Sequence, residues 1–237
     1  MKLSAPIFHL KRHAKRLARD EGIDLHVALE RIATGEGFGS WSLLAARYAA
    51  SSPAARLYAG LRSGDMLLIG ARPGRGKTLL ALEIAAEAVS HGRSGLFFTF
   101  EYTEAEVRER LSTLGIEPSR AGPSLAIDCS DGICADYIIA KSRSAGPGSV
   151  VVIDYLQLLD QKREHPPLAE QVAALKAFAE EGRLAIVLLS QIDRSYDPAL
   201  KPVPDIADVR LPNAVDLALF TRTHFLGSRA ADPASAR

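Results

Sequence analysis

Cysteine is scarce in this chain of 237 residues, which holds two, Cys129 and Cys134. So small a set excludes a disulfide-built scaffold. No further ligands cluster near their C-x4-C spacing, so two ordinary thiols are expected rather than a zinc site. Long hydrophobic runs are missing too. The most apolar stretches, Ser149 to Tyr155 and Leu184 to Leu189, fall far short of a membrane span, which needs ~20 residues. After Met1-Lys2 the sequence turns polar and basic, without the apolar core of a signal peptide; the expectation is a cytoplasmic protein with no membrane contact. Neither sign of charge prevails. With 29 Lys and Arg against 28 Asp and Glu, the formal net charge is +1, so the whole molecule carries no electrostatic signature for nucleic acid. Hydrophobic residues at 47% and charged residues at 24% exclude a disordered chain and suit a globular one.

The charge is unevenly spread. Residues 1–60 carry nine Lys/Arg and five Asp/Glu, and the remainder carries 20 and 23. From His9 to Arg19, Leu10, Ala14, Leu17 and Ala18 recur at helical spacing, with Lys11, Arg12, Lys15, Arg16 and Arg19 filling the other positions. Gly22 ends that helix. Asp24 caps a second, striped by Leu25, Ala28, Leu29 and Ile32, and Ser40 or Ser42 caps a third containing Trp41. These short helices form a small all-α segment over residues 1–50. The Ala/Ser-rich residues 51–56 read as a linker, 57–226 as a larger domain, and 227–237 as a disordered tail.

After the linker, apolar runs alternate with helical stretches. Strands are expected at Met66–Gly70, Gly95–Glu101, Leu125–Cys129, Val150–Tyr155, Leu184–Ser190 and Leu217–Thr223. Several are apolar at successive positions, as in a parallel sheet covered on both faces. Between them lie helices at Lys77–His91, Thr103–Leu114 (opened by a Thr103/Glu106 capping box), Ile133–Ser142 and Leu168–Glu181. The fold class is α/β, with a mainly parallel central sheet flanked by helices.

The sharpest motif is Ala71-Arg72-Pro73-Gly74-Arg75-Gly76-Lys77-Thr78, between a strand and a helix. It fits [Ala/Gly]-x4-Gly-Lys-[Ser/Thr]. Small residues let backbone N–H groups curl around a polyphosphate, and the helix points its positive end to the same place. Lys77 neutralises the outer phosphates and the Thr78 hydroxyl suits Mg²⁺. The nucleotide-binding set is Ala71 to Leu79. A P-loop also needs an acid near the cation, and Asp154, ending the strand Val150-Val151-Val152-Ile153, is the candidate. Glu101 ends another apolar run at the same sheet edge, where open α/β sheets bind ligands. Spacing alone leaves it either a base for water or a helix-capping acid ahead of Thr103. Gln191, following Ser190, could sense a γ-phosphate.

Together with Phe98-Thr99-Phe100-Glu101-Tyr102, Val152-Ile153-Asp154-Tyr155-Leu156-Gln157-Leu158-Leu159 and Leu189-Ser190-Gln191-Ile192-Asp193-Arg194, the P-loop resembles the ordered motifs of the DnaB-type replicative helicase motor, a RecA-like ATPase. The likeness spans about residues 57–223. It implies a RecA-like fold, ATP and Mg²⁺, Glu101 as catalytic carboxylate, Asp154 at the metal and Gln191 as a coupling residue. Single-stranded DNA and a homo-oligomeric ring are the partners it suggests. The front segment, with Leu10-Lys11-x2-Ala14-Lys15-x-Leu17 and Gly37-Phe38-x-Ser40-Trp41-x2-Leu44, is similar to a short helical module that precedes various bacterial proteins. It differs from the collar domain of such helicases.

The family motor also continues into a hairpin bearing a basic finger for the neighbouring subunit. Here the sequence ends soon after Thr223, so slow turnover is expected unless Arg194, Arg210 or Arg222 substitutes. Residues 193–213, in the position of the DNA-facing loop, hold few cations: Arg194, Lys201 and Arg210. Three functions therefore stand: a DNA-stimulated motor, a stand-alone ATPase switch acting on a protein partner, and a module that holds ATP with little hydrolysis.

Overall fold

The computed structural model describes residues 3–4, 7–116, 124–160, 164–211 and 213–227, with the backbone alone at 8, 9, 49 and 50. The chain divides into two compact units, Met1–Leu61 and Arg62–Arg237. All but Gly227 of the expected tail lies outside the described residues.

The first unit is helical: α1 (Ile7–Glu21), α2 (Leu25–Gly35), α3 (Trp41–Ala50) and α4 (Pro53–Gly60). Its core gathers Leu3, Leu10, Ala33 and Leu44, with Ile7, Ile32, Phe38, Trp41 and Tyr48 packed around them. Gly22, at φ +65°, takes the left-handed turn that stops α1. Asp24 stands at the N-cap of α2 without bonding through its side chain, whereas the Ser40 hydroxyl accepts from the Leu43 N–H to cap α3. The stretch read as a linker, 51–56, needs correcting. Its second half begins α4, because the Ser52 hydroxyl accepts from the Ala55 N–H and Pro53 sits in the first turn, where its missing donor costs nothing.

The second unit holds a six-stranded sheet in the order β3-β2-β4-β5-β1-β6. The strands are β1 (Met66–Ala71), β2 (Gly95–Thr99), β3 (Leu125–Asp128), β4 (Val150–Asp154), β5 (Ala185–Gln191) and β6 (Arg222–Leu226). All neighbours run parallel. Helices α5 (Lys77–Ser90), α6 (Glu104–Thr113), α7 (Ala135–Ser142) and α8 (Leu168–Gly182) alternate with them. Strands β1, β2 and β4 are buried throughout, hence their unbroken apolar runs. The β1–α5–β2 crossover passes over β5 and β4, so α5 lies across the sheet. It comes so close to β2 that a Cβ on Gly95 would stand 2.5 Å from the Ala85 carbonyl oxygen.

Two of the expected strands differ by more than one residue at a boundary. β2 stops at Thr99 rather than Glu101, because the Phe100 N–H turns to the Asp154 carbonyl and the Glu101 N–H to the Thr99 hydroxyl. The last strand begins at Arg222, not Leu217. Leu217–Leu219 instead form a 3₁₀ turn capped by the Asp216 carboxylate, which accepts from the Ala218 N–H, and they pack on the core of the domain.

Candidate functional site

Parallel strands deliver their ends to one edge of the sheet. The loop after β1, the ends of β4 and β5 and the residues just past β2 therefore share a rim. Register places Gln191 beside Ala71 and Asp154 beside Thr99.

Ala71 itself is the buried last residue of β1, and its carbonyl accepts from the Ile192 N–H. Pro73, Gly74 and Arg75 form an exposed crest. Gly74 and Gly76 have φ of +74° and +82°, a left-handed backbone that favours glycine and turns the loop into the start of α5. Arg72 leans away to donate to the Tyr196 carbonyl at 3.0 Å. Leu79 is partly exposed on the first turn of α5.

Lys77 and Thr78 are both 7% exposed, and Asp154 is fully buried. The Thr78 hydroxyl donates to Asp154 Oδ2 at 2.9 Å. The Lys77 ammonium lies 3.9 Å from Glu101 Oε2 and 5.5 Å from the centre of the Tyr155 ring. Burial pushes the Asp154 carboxyl up to about 6; the Lys77 charge and the Thr78 hydrogen bond oppose that rise, and the Glu101 charge adds to it. Asp154 Oδ1 is buried with no hydrogen-bond partner. An unpaired carboxylate oxygen beside a hydroxyl is a hard-oxygen donor set. It fits a small divalent cation that takes few protein ligands and fills its shell with water and phosphate oxygens. Among the described residues no cluster of three or more His, Cys, Asp or Glu offers another metal site. Both cysteines are free thiols.

Sequence reasoning assigned no role to Tyr155 and Gln157. Tyr155 shares a side-chain hydrogen bond with Gln191. Gln157 Nε2 donates to Ser190 Oγ at 2.8 Å and to the Arg210 carbonyl at 2.5 Å, and Gln157 Oε1 faces the Gln191 N–H at 3.4 Å. The Arg210 N–H donates in turn to the Gln191 carbonyl. Both side chains follow the strand-end Asp154, and that position was the available signal. Across the rim, the Arg110 guanidinium stacks 3.9 Å over the Tyr102 ring.

The three arginines weighed as a substitute finger fall in different places. Arg222 lies at the opposite edge of the sheet, beside Leu67 in register and 2.5 Å from Asp65. Arg210 is exposed beside Gln191. Arg194 follows that strand in an exposed turn.

A parallel sheet whose first strand feeds a glycine-turned loop, with a buried lysine, hydroxyl and carboxylate at its rim, defines a RecA-like P-loop fold. The family model for the DnaB-like helicase C-terminal domain matches residues 54–117 and 120–217, and the chain belongs to that family. A replicative DNA helicase DnaB from Leifsonia xyli subsp. xyli is 28% identical over 188 residues, covering 66% of this chain and 41% of that protein. One from Geobacillus stearothermophilus is 25% identical over 194 residues, with 68% and 42% covered. A probable plasmid replicative DNA helicase of Chlamydia trachomatis is 28% identical over 180 residues, with 63% and 40% covered. The chain thus spans about two fifths of the length of these relatives. A solved structure of an ATPase domain aligns over 71% of this chain and 75% of its own, at 22% identity and a TM-score of 0.53, a likeness of fold.

Proposed function

We propose that this protein binds and hydrolyses ATP with Mg²⁺ as a helicase-family ATPase that works on single-stranded DNA and assembles into a ring. One observation carries the reading: Lys77, Thr78, Asp154 and Glu101 converge on one rim of the sheet, beside a left-handed glycine loop.

In this reading the backbone of residues 71–79 cradles the phosphates at the positive end of α5. Thr78 and Asp154 hold the cation, which when bound offsets phosphate charge. Lys77 balances the outer phosphates, and its contact with Glu101 holds that carboxylate at the rim. Glu101 orients a water and accepts its proton. Gln191 reports the state of the γ-phosphate. Tyr155 and Gln157 link it to the segment around Arg210, the position of the helicase's DNA-facing loop. The helical unit that ends at Leu61 is an accessory module, and the unit that begins at Arg62 is the motor. The proposed site of action is the cytoplasm; no described helix is long and apolar enough to cross a membrane.

The test is ATP hydrolysis measured with and without single-stranded DNA across protein concentration. DNA stimulation that rises with self-association is expected; hydrolysis indifferent to DNA would favour the protein-regulating switch. Lys77→Ala should abolish nucleotide binding or turnover. Glu101→Gln should keep ATP bound and lower hydrolysis ~10²–10⁴-fold. Full turnover in either variant would reject its assignment.

A further inference from the structure

Five cations lie on α1, ahead of the residues that the helicase family model matches: Lys11, Arg12, Lys15, Arg16 and Arg19. At 3.6 residues per turn they fall within an arc of about 140°, and at 1.5 Å per residue they span about 12 Å of the axis. All five are exposed, and among the described residues none has an ion-pair partner. Asp20 and Glu21 lie outside the arc, and Glu21 takes Arg31 at 2.6 Å. The opposite side of α1 is committed, because Leu10 and Ala14 are buried and Leu10 belongs to the core of the module.

An ordinary solvated helix mixes its signs. On α6, Arg108 pairs with Glu104 one turn before it. On α8, Lys176 pairs with Glu180. On α1, by contrast, Lys11/Lys15, Arg12/Arg16 and Lys15/Arg19 set like charges one turn apart. Each such pair destabilises a helix by roughly 0.2–0.5 kcal/mol. A polyanion lying along the arc would relieve that repulsion.

The motor unit offers little to take its place. Of the three cations in its 193–213 segment, Lys201 is already held by Asp205 at 2.7 Å and Asp208 at 2.6 Å.

We propose that the basic face of α1 is a second nucleic-acid surface, separate from the nucleotide site, that grips phosphodiester backbone without reading base sequence. Three of its five cations are arginines, whose planar forks match phosphate oxygens. A lipid surface fits less well, since the apolar side of the helix is turned inward and has nothing to insert.

The test uses the full chain without nucleotide, titrated into labelled single-stranded and duplex DNA over a range of salt. Its partner is the triple variant Lys15→Gln, Arg16→Gln, Arg19→Gln. Three lost phosphate contacts should flatten the slope of log K against log salt by about 2–3, at ~0.9 per contact on duplex and ~0.7 on single strands. Affinity near 0.1 M salt should fall on the order of a hundredfold. Glutamine keeps helix propensity and removes repulsion, so the variant should melt no lower than the wild type, which separates lost binding from lost folding. Lys77→Ala should bind DNA like the wild type in this assay, so failure of the ATPase reading and failure of this one are distinguishable. Equal slopes for wild type and variant would overturn the proposal. So would equal displacement of the protein from DNA by polyglutamate of matched charge, or equal binding to phosphatidylserine vesicles.

Discussion

Burial works against the charge on Asp154, whose carboxyl is pushed up to about 6 by desolvation although Lys77 and Thr78 favour its ionised form. The folded protein therefore holds this proton more tightly than the unfolded chain, where an aspartate titrates near ~3.9. The stabilising contribution, about 3 kcal/mol, is whole below pH ~4 and is lost as pH rises through about 6, so that at neutral pH the fold is weaker by that amount than it is with the carboxyl protonated. Asparagine avoids that ionisation and still offers Thr78 an acceptor. Asp154→Asn, freed of nucleotide and divalent cations, should thus resist urea better than the wild type at pH 8, with the gap closing near pH 4. A variant weaker than the wild type at pH 8 would contradict this origin of the cost. Lys77, Thr78 and Asp154 were legible as candidates because a motif and a strand end give each a defined place on the rim. Tyr155 and Gln157 were not. Their contacts with Ser190, Gln191 and Arg210 cross 33 or more positions of sequence, and the one local signal, their place after the strand-end Asp154, does not say what they touch.

Among the elements, unbroken apolar runs exposed β1, β2, β4 and β5, because a strand buried on both faces has no polar position to hide. The edge of the sheet was harder to read. Leu217, Leu219 and Phe220 look like a strand, yet Leu217 and Leu219 pack half-buried on the core from a capped 3₁₀ turn and Phe220 is buried just past it, while β6 begins at the polar Arg222, anchored to Asp65. Ser52 and Pro53 carried the start signal of α4, masked by a composition that resembles a linker. The approach of α5 to β2 is invisible in sequence, since Gly95 occupies a position where other residues of the strand are large. Its backbone lies outside the left-handed region, so alanine there meets a steric obstacle alone: the Ala85 carbonyl 2.5 Å away. Gly95→Ala should cost about 1–3 kcal/mol in chemical denaturation. Gly146 has nothing within 4 Å of an added Cβ, and Gly146→Ala should be neutral or stabilising by about 0.4–1 kcal/mol. Equal effects of the two changes would mean that α5 shifts freely over the sheet.

The two compact units have separate cores of unequal size. One rests on Leu3, Leu10, Ala33 and Leu44, and the other on a cluster running from Met66 to Phe220. A core so small confers modest stability, whereas nucleotide at a hundredfold its dissociation constant adds ~2.7 kcal/mol to whatever binds it. The sole tryptophan, Trp41, packs in the small core, so its fluorescence reports on that unit while far-ultraviolet circular dichroism reports on both. Heating should therefore melt the tryptophan signal at one temperature, with or without a slowly hydrolysed ATP analogue and Mg²⁺. The main dichroism transition should rise by about 5–10 °C when the analogue is present. Lys77→Ala should remove that rise and leave the tryptophan transition where it was. A tryptophan midpoint that climbs in step with the dichroism would show that the helical module and the motor unfold as one cooperative body, and that nucleotide is felt by the basic helix as well as by the phosphate loop.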